Sequence, residues 1–127
     1  MDSNPVGWFE VYVADMPRVR AFYERVLAVK LEKLPVPDGE GLEMWSFPMA
    51  QGGAGAAGAL VRMPGGPSGG GTSTIVYFTC DDCAVPAVRV KGAGGEVMKD
   101  KFSIGQYGFI ALATDTEQNV IGLHSMK

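Results

Sequence analysis

Two stretches of the chain carry the same arrangement of hydrophobic and polar positions. The first, GWFEVYVADMPRVRAFYERVLAVKL from Gly7 to Leu31, sets Trp8, Glu10 and Tyr12 against Phe9, Val11 and Val13 in alternation. A period of two predicts a half-buried strand with two different faces. Asp15 follows as a helix N-cap, Pro17 lies in the first turn, and Val19, Phe22, Tyr23 and Val26 recur at helical spacing. This is a strand feeding a helix that lies back on its own sheet. The second stretch begins at Thr74, TIVYFTCDDCAVPAVRVKGAGGEVM, where Ile75, Tyr77 and Thr79 alternate with Val76, Phe78 and Cys80. There Asp82 takes the Asp15 position and Val85 and Val88 begin a helical stripe. An internal repeat follows.

The remaining pattern fills out both copies. After the first helix, Pro35, Pro37, Gly39 and Gly41 punctuate two short strands, Val29 to Leu34 and Leu42 to Phe47. In the second of these Glu43, Trp45 and Phe47 share one face and Leu42, Met44 and Ser46 the other. Glu43 therefore travels with two aromatics, either as a group in a ligand pocket or as a solvated edge residue beside the core. The run QGGAGAAGA from Gln51 to Ala59 is too glycine-rich for a strand interior and reads as a flexible loop leading into a strand at Leu60 to Met63. Its Gly53, Gly55 and Gly58 have GxGxxG spacing, but Pro64 leaves no room for the helix that a dinucleotide site requires.

MPGGPSGGG, Met63 to Gly71, reads as a linker. It divides the chain into a first module of about residues 6–64 and a second of about 73–127, with the linker at about 64–72. In the second module a helix ends near Gly92, Gly94 and Gly95, and strands follow at Glu96 to Asp100, Gly108 to Thr114 and Asn119 to Ser125, the last two joined by a turn from Asp115 to Asn119. Each half thus reads βαβββ, an α+β order that lays helices against one side of its sheets.

Composition narrows the classes of function. At 127 residues the chain is of single-domain size, its net charge is −3, and its eleven Lys and Arg are scattered. No basic stripe offers itself to nucleic acid or an anionic membrane. No apolar run approaches a membrane span, and two cysteines are too few for a disulfide framework, so a soluble cytoplasmic protein is expected. The two cysteines form Cys80-Asp81-Asp82-Cys83 at a strand-to-helix turn. Such a CxxC can be a redox motif, but the two intervening acids oppose thiolate formation and Cys80 falls on the packing face. Core packing plus a cap is the expected role. Trp8, Tyr12, Trp45 and Tyr77 suit either the walls of a pocket for a small organic ligand or ordinary core.

The FEVYVADMPRVRAFYERVL opening, the VYFTCDD…GAGGEV second module, the DTEQNVIGLHS ending and the doubled βαβββ order together resemble the vicinal oxygen chelate superfamily, the glyoxalase, bleomycin-resistance and extradiol dioxygenase group. The resemblance implies curved mixed sheets around a cup, helices on the outer side, and commonly a homodimer. It also implies metal ligands, His and Glu, on the first and last strands of each module. Here the first-strand positions carry Trp8 and Ile75, the last strand of the first module has no acid or His, and the final-strand position is Gly122.

Glu10 and His124 lie two residues from the vacated positions and on the same strand faces. They are the candidate catalytic pair, as proton-transfer groups without metal. Trp8, Tyr12, Glu43, Trp45 and Tyr77 are the candidate substrate-binding residues. A replacement metal set of Glu10, Glu43 and His124 is the further alternative, although no cofactor is expected. The resemblance thus implies a glyoxalase-like lyase or isomerase, or a small-molecule or antibiotic-binding protein of bleomycin-resistance type.

Overall fold

A computed structural model describes residues 4–36, 41–66 and 73–127. The chain forms two compact units, one of Trp8–Thr74 and one joining the residues up to Gly7 with Ile75–Lys127.

The first unit starts in β1 (Val6–Tyr12) and α1 (Met16–Leu27), followed by β2 (Glu32–Lys33), β3 (Glu43–Ser46) and β4 (Ala57–Arg62). The helix begins where expected, because the Asp15 carboxylate accepts from the Arg18 N–H at 3.1 Å and Pro17 needs no donor in the first turn. It ends at Ala28, in the left-handed region with φ 55°. The strands lie in the order β2-β3-β4-β1, with β4 parallel to β1 and antiparallel to β3. A parallel neighbour for β1 needs a long crossover, and α1 begins it.

The apolar face of β1 meets this helix. Val13, Met16, Leu31 and Leu60 are buried together, with Val11, Val19, Tyr23, Trp45 and Phe47 packed against them. Phe22 and Val26, expected on the same stripe, instead lie 58% and 61% exposed. The helix rests on its Met16–Val19–Tyr23 edge, and Phe22 and Val26 lie to one side of it, Phe22 the farther round.

The second unit repeats the order as β5 (Thr74–Thr79), α2 (Ala84–Arg89), β6 (Glu96–Ser103), β7 (Phe109–Thr114) and β8 (Val120–Ser125). Its strands run β5-β8-β7-β6, with β5 and β8 parallel and the other pairs antiparallel. The helix is only six residues long, and its buried contacts come from Cys83 and Ala87 against Ala111, Leu123 and Phe78. Val85 and Val88 are exposed, correcting the expected stripe. One turn of helix exposes whichever residues lie off the Cys83–Ala87 line.

Three segments differ from the sequence reading, the first being the strand expected at Val29 to Leu34, of which only Glu32–Lys33 forms. The glycine-rich run does not stay a loop, because β4 begins at Ala57. Gly58 is accommodated there by the Phe9 ring, which lies where a side chain at residue 58 would stand. The strand expected to stop at Asp100 continues to Ser103. Residues 67–72 of the expected linker, and Pro37 and Gly39 of the expected punctuation, lie outside the described residues.

Candidate functional site

Strand register decides which candidates share a face, since residues paired across a sheet point the same way. In the first unit Val11, Leu60 and Trp45 form one row, and all three belong to the core beneath α1. The neighbouring rows, Glu10–Ala59–Ser46 and Tyr12–Val61–Met44, therefore point away from the helix, as does Trp8 opposite Ala57. This helix-free face brings Trp8, Glu10 and Tyr12 together.

Their contact is direct. The Trp8 indole N–H donates to Glu10 Oε2 at 3.1 Å, and the Tyr12 hydroxyl donates to Glu10 Oε1 at 2.9 Å. Glu10 is 9% exposed, a buried carboxylate with one aromatic donor on each oxygen. Side chains at i and i±2 on a strand stand about 7 Å apart at the backbone, and only donors as long as indole and phenol span that gap.

Glu43 and Trp45 occupy the other face. The Trp45 indole donates to Glu43 Oε2 at 2.8 Å, and the Arg20 guanidinium from α1 lies 3.4 Å from the centre of the Trp45 ring. The sequence grouped this acid–tryptophan pair with Glu10 because both strands alternate. The pairing of β3 with β4 puts Met44 and Ser46, rather than Glu43 and Trp45, on the Glu10 face. The Glu10, Glu43 and His124 metal set is undone by the same register, because Glu10 and Glu43 point to opposite sides of one sheet. Among the described residues no three His, Cys, Asp or Glu gather to hold a metal ion. The positions where the family resemblance implies ligands carry Trp8, Ile75 and Gly122, and β4 has no acid or His. The residues present do not fit that metal.

In the second unit Ala111, Leu123 and Phe78 form the row under α2. Gly122 with Tyr77, and His124 with Thr79 and Ile110, thus fall on its helix-free face. Tyr77 is buried, and its ring lies over Gly122 where a Cβ would stand. His124 is half-buried, with Nε2 2.6 Å from the Tyr107 carbonyl. A carbonyl only accepts, so Nε2 carries a proton and donates it.

Cys80 and Cys83 take part in packing. The Cys80 thiol donates to the His124 carbonyl at 3.3 Å, and burial, followed by the nearby Cys83 and Asp82, pushes its pKa up. Asp82 accepts from Lys101 Nζ at 2.9 Å and from the Ala84 N–H at 3.0 Å. Those bonds, the Lys101 bond foremost, hold its carboxyl below the ordinary value.

Two open cavities lie in the first unit, at the end of β1. One of about 290 Å³ is lined by Tyr12, Arg18 and Ser73 among others, and one of about 160 Å³ by Arg62 and Met63 to Gly66. The larger one is lined mainly from the helix side, by Val11, Val13 and Val19, whereas the Tyr12 hydroxyl is on Glu10 at the other face. No helix is long and apolar enough to cross a membrane among the described residues.

Comparison with known proteins agrees with this architecture. A family model described as "Glyoxalase/Bleomycin resistance protein/Dioxygenase superfamily" matches residues 6–123. "Putative glyoxylase CFP32" of Mycobacterium bovis and Mycobacterium tuberculosis is 29% identical over 118 residues, covering 92% of this chain and 44% of that protein. The chain thus spans less than half the length of these curated relatives. Among solved structures, hypothetical protein BH1468 from Bacillus halodurans C-125 superposes with TM-score 0.73 at 14% identity, covering 99% of this chain and 96% of that one. Methylmalonyl-CoA epimerase from Mycobacterium tuberculosis gives TM-score 0.69 at 15% identity, covering 97% and 88%. At such identity these two show a shared fold.

Proposed function

The chain belongs to the glyoxalase/bleomycin resistance protein/dioxygenase superfamily, and on that premise we propose that it is a small-molecule enzyme of glyoxalase type, an isomerase or lyase, whose proton-transfer group is Glu10. One observation carries the reading: Glu10 is buried on the helix-free face of β1 with an aromatic donor fixed on each carboxylate oxygen. A carboxylate held in this way has one orientation, which suits it to take a substrate proton. The substrate class is a small oxygenated compound with an acidic C–H beside a carbonyl. Glu10 takes that proton, and the C–H electron pair forms the C=C bond of an enolate as the carbonyl π pair moves onto oxygen. Delivery of a proton to the opposite face of that carbon, or to its neighbour, completes an isomerisation. Trp8 and Tyr12 hold the carboxylate and supply apolar wall. In the second unit His124 is the corresponding acid–base group, and Tyr77 the aromatic wall. The metal chemistry of the superfamily is not part of this reading, because the ligand positions carry side chains that cannot bind metal.

Solvent-deuterium incorporation, followed by proton NMR over a panel of 2-hydroxy ketones, 2-oxo aldehydes and acyl thioesters, tests it. A panel member should exchange with the wild-type protein and lose about 100-fold or more in rate with Glu10→Gln. Equal exchange by Glu10→Gln would refute the role. The fixed, donor-ringed carboxylate also favours a second reading, a binding protein of the bleomycin-resistance kind. Binding that depends on Glu10, with no exchange from any panel member, would decide for that reading.

A further inference from the structure

Among the described residues strand β6 pairs only with β7, and its register slips twice, between Val97 and Lys99 and again between Lys99 and Phe102. Val97 is opposite Ala113, whereas Lys99 is opposite Leu112 and Phe102 opposite Ile110. Ala113 alternates with Leu112, so a regular strand would have turned Lys99 to the helix side with Val97. The first slip instead aims it at the helix-free face, and the second brings Phe102 to that face three residues later. Bulges re-aim side chains in this way, and they recur beside binding sites.

The consequence is a cation set on an aromatic. Lys99 Nζ lies 4.0 Å from the centre of the Phe102 ring. Two residues along the strand, Lys101 has an acidic partner in Asp82 at 2.9 Å, but Lys99 has no ion pair among the described residues. Lys99 is exposed, and the neighbours that register gives it, Leu112, Phe102 and His124, are half-buried over a buried Ile110. An unneutralised ammonium thus stands at the edge of an apolar shelf, with its charge located by the ring beneath it.

We propose that Lys99 and Phe102 form a binding site for an organic carboxylate, the anion meeting the Lys99 ammonium and the apolar body lying along Phe102 and Leu112. This goes beyond the role given to Glu10, since it uses another strand and another kind of group.

Benzoate tests the site, with benzamide as its uncharged counterpart and acetate as its counterpart without an apolar body. Each is titrated into the full chain while the Phe102 ring and Leu112 methyl resonances are followed by NMR. Benzoate should shift both sets in a saturable way. Benzamide and acetate should each bind about tenfold more weakly, the order expected when one partly screened ion pair or one apolar contact is removed. Lys99→Met should reduce benzoate to the level of benzamide, and Lys99→Arg should restore it. Glu10→Gln should leave benzoate binding unchanged, which separates this site from the proton-transfer reading. Equal binding of benzoate and benzamide, or benzoate binding that survives Lys99→Met, would overturn the proposal. Lys99 is exposed, and an unchanged thermal melt of the variant verifies that any loss is not unfolding.

Discussion

Glu10 and Tyr77 stand at equivalent places in the two units, each five residues before the aspartate that leads into the next helix and each on the strand face turned from it. Across the sheet Glu10 is paired with Ala59 and Tyr77 with Gly122. In the first unit the row holds a carboxylate whose donors come from its own strand. In the second a phenol ring covers a glycine and fills the same position with apolar surface. One βαβββ frame therefore presents an acid in one copy and an aromatic in the other. The polar groups of the second copy's helix-free face, Lys99 and His124, come instead from β6 and β8. The lesson is that topology fixes where a side chain points, while its chemistry varies freely as long as its neighbour leaves the right space.

That comparison can be broken most severely at its tightest contact. Gly122→Ala sets a methyl group against the Tyr77 ring and should cost about 1–3 kcal/mol by urea denaturation, the usual range for overpacking. The reciprocal change in the first unit, Ala59→Gly, should cost only about 0.5–1 kcal/mol, mainly from backbone freedom. If the two losses are equal, the glycine is not what admits the ring.

The helices sharpen the contrast at a smaller scale. The twelve-residue α1 has a side-chain cap from Asp15, whereas Cys83 at the start of α2 makes none. Asp15→Ala should therefore lower stability by about 1 kcal/mol in the same assay. No loss would mean that packing of Val19 and Tyr23 alone holds the helix start.

The smallest effect is a pH dependence. Lys101 and the Ala84 N–H depress the Asp82 carboxyl from its ordinary 3.8, so the folded state holds this proton less well than the unfolded one. Its stabilisation is fully present above 3.8 and disappears as pH falls through the lowered folded value. Urea melts at descending pH should show the wild type converging on Asp82→Asn in that acid window. In the first unit Glu24 behaves alike from its ordinary 4.5, through the Leu31 N–H first and Arg20 after it. A wild-type curve that stays parallel to Asp82→Asn would remove Asp82 as a contributor.

Much of the architecture was legible in the residues themselves. Alternation marked β1 and β5 because a strand turns successive side chains to opposite sides, and Asp15 marked the start of α1 because a free N–H needs an acceptor. The α+β order and the family followed from the doubled pattern. The grouping of Trp8, Glu10 and Tyr12 was also legible, since all three lie on one strand. The length of β4 was not, because Gly58 has low strand propensity and is accommodated only by a ring from β1.

What the chain determined by itself was therefore local: element order, the caps, and which residues alternate within each strand. Only the tertiary structure decided which of two alternating faces meets the helix in a strand remote in sequence. Glu43 and Trp45 went under α1, and Lys99 and Phe102 went to the opposite side of their sheet from α2. The physical reason is that a shift of one residue in register exchanges every face of a strand, and register is set by hydrogen bonds and bulges formed between strands, which no single strand's pattern contains.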